Sequence, residues 1–254
     1  MTRVTVLGSG QDGGLPQLGS DHPHDRAAAE GVVPPRTASS VVVEVDGFAV
    51  LCDVSPDVRH QLHRPVDAIA LTHGHMGHYA GLVHFGTEAA AIDGLAVMAT
   101  PSMLGFLRAN QPWAALFDEG RLVPATLKGV DLVPVPHRAE FTDTVAISVG
   151  GVLYLPDIDD WTAWPDHRSV VADHDLALVD ATFWSADEVP GRDLSALPHP
   201  LVPDTLERFA DVADRVVLTH LNHTNPLVDP ASAASEHVRS LGFRVAEDGA
   251  VHET

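Results

Sequence analysis

Short apolar runs, separated by glycine, proline and aspartate, recur along the whole chain. Runs of this length with many β-branched residues predict buried β-strands. Two of them flank Asp46-Gly47, a dipeptide typical of a tight hairpin turn. Longer stretches between other runs predict helices, and this interleaving is typical of an α/β protein. The predicted strands are 3–7, 40–45, 48–52, 68–71, 96–99, 132–135, 145–148, 152–155, 176–179, 215–218 and 244–246.

The segments between the strands predict helices over 56–62, 101–108, 204–212 and 231–241. Residues 19–37 are predicted to form a long polar connection, and the segment through Trp113 and Phe117 to be rich in turns. No Ser/Gly tract, charge block or low-complexity run marks a boundary within the 254 residues. We therefore expect one domain, 1–254.

Composition excludes several classes of partner. The formal net charge of −20 argues against binding to nucleic acid or to an anionic membrane. The N-terminus lacks the pattern of a signal peptide, and no segment approaches about 18 consecutive apolar residues. Cys52 is the single cysteine, which suits a reducing compartment. We expect a cytoplasmic protein with a small-molecule substrate. A homodimer is one possible assembly.

A cluster of histidines directly follows the predicted strand 68–71. His73, His75 and His78 form the pattern H-x-H-x-x-H, with Gly74 and Gly77 between them. Imidazole is the commonest side-chain ligand of zinc and similar ions, and glycine permits the tight backbone that aims several rings at one point. The pattern therefore predicts a metal site, with solvated loop histidines as the alternative.

Other metal-binding residue types also follow apolar strands. Loops at strand ends converge in α/β proteins, so these side chains are further candidates for the site, although each one alone could also cap a helix. Leu-Thr-His occurs twice, at 71–73 and 218–220, which suggests that two halves of the molecule present strand ends to one cleft. The candidates are Asp53, His137, Asp157, Asp180 and His220.

The first predicted strand runs into a literal G-x-G-x-x-G at residues 8–13. A dinucleotide-binding fold requires a helix to open at the third glycine, and the following GLPQLG (14–19) cannot form one. We interpret these glycines as allowing the backbone to pass close to a ligand or metal site.

The ordered set of His73, His75 and His78, then His137, Asp157 and His220, resembles the ligand series of the metallo-β-lactamase superfamily. Further segments resemble its pyrroloquinoline quinone biosynthesis B branch. This resemblance spans nearly the whole chain and implies an αββα sandwich, two mixed sheets flanked by helices, with metals in a cleft at one edge. The segments are 6–10 (VLGSG), 155–159 (LPDID), 179–184 (VDATFW) and 218–226 (LTHLNHTNP).

The resemblance also implies roles for individual residues. His73, His75 and His137 would hold a first divalent metal ion, and His78 and His220 a second. Asp157 would bridge the two ions, and Asp157 and His220 would be the catalytic pair. Zinc is the expected metal, with iron or manganese as alternatives. Asp53 would orient a ligand histidine, and Asp180, His199 and His223 would lie around the site or contact substrate.

Three departures from the superfamily pattern change what is expected. The usual H-x-H-x-D-H has aspartate where this chain has Gly77, so the second position should be weaker or differently filled. Relatives carry a C-x-C-x-x-C zinc knot where this chain has Ser20, His22 and Asp25, so we expect that zinc to be absent. Quinone-pathway relatives commonly lack the full histidine cluster, which indicates a different substrate.

Three classes of function remain open from the sequence. A divalent ion with an open position lowers the pKa of bound water to about 7 and supplies hydroxide at neutral pH. This favours a hydrolase of a small ester, lactone, amide or cyclic phosphate. An all-histidine and carboxylate set also suits iron, so an oxygenase that hydroxylates a tyrosine-derived precursor is the alternative. A metal-binding module without turnover is the third.

Overall fold

The strands form two sheets that pack face to face, as seen in a computed structural model that describes residues 1–188 and 198–254. The first sheet has the order β13-β1-β2-β3-β4-β5-β6, and the second has the order β12-β11-β10-β9-β8-β7. In chain order the strands are β1 (Thr2–Gly8), β2 (Ser40–Val45), β3 (Phe48–Cys52), β4 (Ala68–Ala70), β5 (Leu95–Met98), β6 (Leu122–Pro124), β7 (Val130–Pro134), β8 (Val145–Val149), β9 (Val152–Leu155), β10 (Leu176–Asp180), β11 (Val216–Thr219), β12 (Arg244–Val245) and β13 (Val251–Glu253).

Helices cover the outer face of each sheet, which gives the αββα sandwich implied by the sequence. None of the helices in the described part of the chain is long and apolar enough to cross a membrane. The helices are α1 (Pro23–Ala29), α2 (Val58–Gln61), α3 (Met76–Tyr79), α4 (Pro101–Ala109), α5 (Trp113–Asp118), α6 (His167–Ala172), α7 (Val202–Arg208) and α8 (Ala233–Ser240), with 3₁₀ turns at Ala80–Phe85, Trp161–Ala163, Ala186–Glu188, Ala210–Arg215 and Pro226–Val228.

Alternate residues of the central strands face different apolar layers. In β9, Val152 and Tyr154 point into the layer between the sheets, whereas Leu153 and Leu155 face the helices beside the second sheet. Every residue of β9 is therefore buried, and the strand reads as an uninterrupted apolar run. This double burial explains why the apolar runs located the central strands so closely.

Two predictions about the segments outside the strands were wrong. The connection 19–37 contains the helix α1, which begins at Pro23 after His22 caps its first turn through its side chain. The segment through Trp113 and Phe117 is the helix α5, whose apolar side packs against the first sheet. Both helices are short, and tertiary packing rather than periodicity stabilises helices of this length.

The parallel strands of both sheets end at one edge of the sandwich. Strands β3 to β6 run parallel in the first sheet, and β9 to β12 run parallel in the second. The loops after β4 and β11 carry His73 and His220, and the loop after β9 carries Asp157. Carboxyl ends of parallel strands gather ligand-binding side chains, as the sequence predicted for these loops.

Gly81 holds the turn after the histidine motif against the loop that follows β3. Its backbone N–H donates to the carbonyl of Val54 at 3.0 Å, and a Cβ at this position would lie 1.9 Å from the carbonyl oxygen of Ser55. The Val54 N–H in turn donates to the carbonyl of His78 at 2.8 Å. Only glycine allows the two segments to approach this closely, so Gly81 fixes the backbone of His78 relative to the end of β3.

We expect Gly81→Ala to lower the free energy of unfolding by about 1–3 kcal/mol, because the added methyl group collides with backbone. Gly105→Ala is the matched control, since a Cβ at Gly105 in α4 meets nothing within 4 Å. Alanine there should be neutral or stabilise the helix by up to about 1 kcal/mol. Urea unfolding of the two variants measures both changes, and equal stability would contradict this account of Gly81.

Candidate metal centre

Three imidazoles from two loops meet at the edge of the sandwich. His73 Nε2 lies 2.9 Å from His75 Nδ1, and His137 Nε2 lies 3.3 Å from the same His75 atom. His73 and His137 are buried. Gly74 permits the turn between the first two rings, because its N–H donates to Thr142 Oγ1 at 2.9 Å and a Cβ would lie 2.9 Å from Thr142 Cγ2.

The remaining nitrogen of each ring has a polar neighbour, and those of His73 and His75 make a hydrogen bond to it. His73 Nδ1 donates to Thr72 Oγ1 at 3.0 Å, because that hydroxyl gives its own hydrogen to a carboxylate. His75 Nε2 donates to Glu140 at 2.8 Å, and His137 Nδ1 lies 2.8 Å from a carboxylate oxygen of Asp159. The three facing nitrogens therefore present lone pairs to one another, an arrangement that a cation between them stabilises.

A second pair of imidazoles lies beside this trio, with Asp157 between the two groups. Asp157 Oδ2 lies 3.1 Å from His78 Nε2 and 3.4 Å from His220 Nε2, and its Oδ1 lies 3.6 Å from His137 Nε2. The rings of His78 and His220 stack with centroids 5.5 Å apart. The six predicted ligands thus come together, and Asp157 is placed to bridge two metal positions.

Buried aspartates behind the histidines orient the rings. Asp53, at the end of β3, accepts hydrogen bonds from His78 Nδ1 at 2.7 Å and from Thr72 Oγ1 at 2.8 Å, and the Thr72 hydroxyl in turn holds His73. Carboxylates in this position fix the tautomer of a ligand histidine and strengthen its basicity. Asp53 therefore lies where it can orient the ligand histidine His78, as expected.

Asp180 repeats this arrangement at the end of β10. It accepts hydrogen bonds from Thr182 Oγ1 at 2.8 Å and from His199 Nδ1 at 2.7 Å, and Thr182 Oγ1 in turn holds His220 Nδ1 at 2.9 Å. Asp180 also accepts from the N–H of Ile158 at 3.0 Å. It thereby positions the residue next to Asp157 as well as the His220 ring.

The protonation states of the protein also favour a cation at this position. Burial and the neighbouring His78 ring lower the pKa of His73 well below its usual value, so His73 keeps the neutral form that binds metals. Burial would raise the pKa of Asp157, but His220 and His78 hold it well below its usual value. The pKa of His78 is raised well above its usual value, because the negative charges of Asp53 and Asp157 outweigh the effect of burial. A neutral His73 and an ionised Asp157 are thus available to a cation.

Several buried polar atoms aimed into the centre have no hydrogen-bond partner among residues 1–188 and 198–254. They are His78 Nε2, His220 Nε2 and Asp157 Oδ2. Buried polar atoms are almost always paired, so an unpaired set that converges on one point indicates a ligand. The facing nitrogens of the first trio are also close to the separation of about 3.3 Å expected for tetrahedral ligands of one zinc ion. The residues fit a divalent metal ion.

His199 and His223 take different places, although both were predicted near the site. His199 lies with Asp157 and His220, and the metal-binding atoms of this group are all within 4.8 Å of one another. His223 instead donates from Nδ1 to Asp25 at 2.7 Å, in a separate cluster. Leu221 pairs with the loop after β1 and the chain then turns toward α1, which brings His223 to Asp25; a contact of His223 with substrate stays a prediction.

The separate cluster contains the residues that the sequence analysis compared with a cysteine knot. Ser20, His22 and Asp25 lie together with His223, and the last three could hold an ion by distance alone. Asp25, however, already accepts from Ser20 Oγ at 2.5 Å, from the N–H of Gln17 at 2.6 Å and from His223. Its oxygens have partners within the protein, unlike Oδ2 of Asp157. That zinc is absent here stays a prediction.

Asp12 is the residue of the centre that sequence reasoning missed. It lies in the glycine-rich loop after β1, and its Oδ1 is 3.5 Å from His78 Nε2 and 3.7 Å from His220 Nε2. The loop does pass beside the site, as its glycines indicated, since Gly10 bridges to Leu221. The sequence signal was Gly77, which left the motif short of a carboxylate.

Comparisons with known proteins agree with this geometry. The model of the beta-lactamase superfamily domain matches residues 49–221. The chain is 30% identical, over 97% of its own length and 98% of the relative's, to coenzyme PQQ synthesis protein B of Pseudomonas aeruginosa. It also resembles the crystal structure of Zn²⁺-bound PqqB from Methylobacterium extorquens, with TM-score 0.83 and 25% identity over 99% of this chain and 100% of that one.

A diphosphatase from the PhnP family shares the fold, with TM-score 0.75 and 23% identity over 100% of this chain and 97% of that one. The match to the family model covers all the predicted metal ligands, from His73 to His220. The chain belongs to the beta-lactamase superfamily. Within that superfamily it is a PqqB-like protein, as its resemblance along nearly the whole sequence implied.

We expect Asp53→Asn to weaken metal binding by about 10- to 100-fold, because one oxygen of Asp53 accepts from the Thr72 N–H and the other from His78 Nδ1, and an amide NH2 group can accept neither bond. Asp67→Asn is the matched control. Asp67 accepts a hydrogen bond from the N–H of Ala49 at 2.8 Å, at the opposite end of the same strands. Competition with a chelator of known affinity measures the change, and equal affinities in the two variants would refute the orienting role of Asp53.

We expect His223→Ala to leave the number of bound metal ions unchanged. Asp25 then keeps its bonds from Ser20 and Gln17, and we expect no loss because the cluster is predicted to hold no ion. Elemental analysis of the purified variant beside the unaltered protein provides the measurement. Loss of one equivalent of metal per chain would show that this cluster does bind an ion.

Proposed function

We propose that this protein is a metal-dependent hydrolase of a small molecule that holds two divalent ions, zinc first among the candidates. The observation that supports this most strongly is Asp157, which faces His137 through one oxygen and His78 and His220 through the other. A bridging carboxylate between two sets of nitrogen ligands is typical of two-ion hydrolytic sites. Bound ions at such a site would acidify water and stabilise negative charge on the substrate.

The protein's own residues would bind the ions and keep the site rigid. His73, His75 and His137 would hold the first ion, and His78 and His220 the second, with Asp157 shared. Asp53 and Asp180 hold three of these rings through direct or Thr-mediated hydrogen bonds, so the ligands need not reorganise during a reaction. The lone cysteine, Cys52, is fully buried, and burial raises its pKa well above the usual value, which argues against a thiol nucleophile.

A pocket of about 470 Å³ borders the centre and supports a small-molecule substrate. His199 and Asp159, which contact the ligand groups from two sides, line it together with Arg208 and Asp204. A larger apolar pocket of about 640 Å³ lies elsewhere, between Leu62 and Ile92. We favour the smaller pocket because a substrate there would reach the metal ligands.

The test is hydrolysis of model substrates by protein loaded with zinc, manganese or iron(II). We expect turnover of at least one class among nitrophenyl esters, lactones, anilides and phosphodiesters. His73→Ala should reduce it by at least about 100-fold, since it removes a metal ligand. His60→Ala is the control, because His60 is exposed on α2. Metal binding without turnover on any of these classes would refute the proposal and leave a binding module.

An oxygenase is the second candidate, and the similarity to coenzyme PQQ synthesis proteins over nearly the entire chain favours it. A histidine and carboxylate set with open positions suits iron(II) and dioxygen. Such an enzyme would act in the synthesis of that cofactor. Oxygen uptake by iron-loaded, anaerobically purified protein, with tyrosine-derived substrates, separates the two candidates. A hydrolase consumes no oxygen with any substrate.

A further inference from the structure

The space beside Gly77 is filled by the carboxylate of Asp12. A Cβ at residue 77 would lie 2.1 Å from Asp12 Oδ1 and 2.6 Å from Asp12 Cγ. The side chain that the usual motif places at residue 77 would therefore have to occupy the volume that Asp12 already takes. Glycine at 77 and aspartate at 12 are thus linked by space, although they are far apart in sequence.

The Asp12 carboxylate faces the two unpaired ring nitrogens of the second metal position. Its Oδ1 lies 3.5 Å from His78 Nε2 and 3.7 Å from His220 Nε2. The side chains of both histidines are at most 2% exposed, and these two atoms lack hydrogen-bond partners within the described residues. Asp53 and Thr182 occupy the other nitrogen of each ring, so the unpaired atoms point toward Asp12 and Asp157.

Backbone hydrogen bonds hold the Asp12 loop against the His220 strand end. The N–H of Gln11 donates to the carbonyl of Leu221 at 2.9 Å, and the N–H of Leu221 donates to the carbonyl of Ser9 at 2.9 Å. The N–H of Gly10 donates to the carbonyl of Thr37 at 2.8 Å. These bonds on both sides of the loop place Asp12 next to His220 without any contribution from the histidine motif.

We propose that Asp12 supplies the carboxylate ligand that the motif lacks at residue 77, and so completes a second metal position with His78, His220 and Asp157. Two imidazoles and two carboxylates, one of them shared with the first ion, make a four-ligand set suited to zinc. This assignment rests on the proposed two-ion site. The match to the superfamily model begins at residue 49, so the ligand lies outside the matched segment.

The test is the number and affinity of bound ions, measured by elemental analysis and by titration of metal-free protein with zinc in competition with a chromophoric chelator. The unaltered protein should bind one ion more than Asp12→Ala, and Asp12→Ala should match His78→Ala. Asp12→Asn keeps the shape and should weaken the second ion by at least about tenfold. Asp131→Ala, at an exposed position on β7, should bind as the unaltered protein does.

A ligand exchange makes the test specific. Gly77→Asp alone should lose the second ion, because the two carboxylates would overlap. Combined with Asp12→Gly, the same Gly77→Asp change should restore that ion, since the carboxylate then enters the same space from the motif. A thermal melt of each metal-free variant confirms folding, and Asp12→Asn provides the comparison should Asp12→Ala unfold.

The outcomes separate this inference from the proposed hydrolysis. An Asp12→Ala or Asp12→Asn protein that binds both ions as tightly as the unaltered protein overturns the assignment. A His78→Ala protein that binds as many ions as the unaltered protein also overturns it. A second ion that depends on Asp12 in a protein without hydrolytic turnover supports the ligand assignment and refutes the hydrolase proposal alone.

Discussion

The meeting of unprotonated imidazole nitrogens at one point is the constraint on which this structure depends. The rings of His73 and His137 each face His75 at distances normally seen for hydrogen bonds, yet the far nitrogens of His73 and His75 are already hydrogen-bonded, and that of His137 lies 2.8 Å from an oxygen of Asp159. Without a cation, lone pairs at this distance repel, and burial removes the water that would screen them. The sandwich must therefore hold the rings in place, and a bound cation would return that energy as stability.

Each sheet holds its histidine rings in place with the same set of residue types. Asp53 ends β3 and Asp180 ends β10, and each aspartate holds one threonine hydroxyl and one histidine ring. The threonine hydroxyl then holds a second ring, His73 in one half and His220 in the other. By this correspondence His199 occupies in the second half the place that His78 occupies in the first. The centre is assembled from two equivalent carboxylate, threonine and histidine units that face each other across the cleft.

The sequence predicted much of this arrangement because strand ends and ligand order are local features. The apolar runs located the central strands, and the residues directly after them proved to converge, as with Asp53 after β3 and Asp157 after β9. The repeated Leu-Thr-His was a sound indication that two halves meet. Its threonines are not equivalent, however. Thr72 holds His73, whereas Thr219 lacks a side-chain partner among the described residues and Thr182 serves His220.

What the sequence could not predict depends on contacts between distant segments. The helices α1 and α5 are too short for their periodicity to show, and they exist because one face packs on a sheet. The contact of His223 with Asp25 could not be predicted, because the turn after Leu221 is set by pairing with the loop after β1. Asp12 was missed for the same reason, since nothing in its own loop indicates which strand end it will approach.

Gly77 shows how a motif that looks incomplete in sequence can be complete in space. A metal position requires a certain charge and a certain number of donor atoms within one small volume, and it does not require that any particular segment supply them. The carboxylate beside His78 enters that volume from the first loop of the chain. The motif residue is glycine, which has no side chain to occupy the same space. The absence of aspartate from the motif therefore means that another segment of the chain supplies the carboxylate. Its negative charge beside His78 and His220 comes from a residue that the motif does not contain.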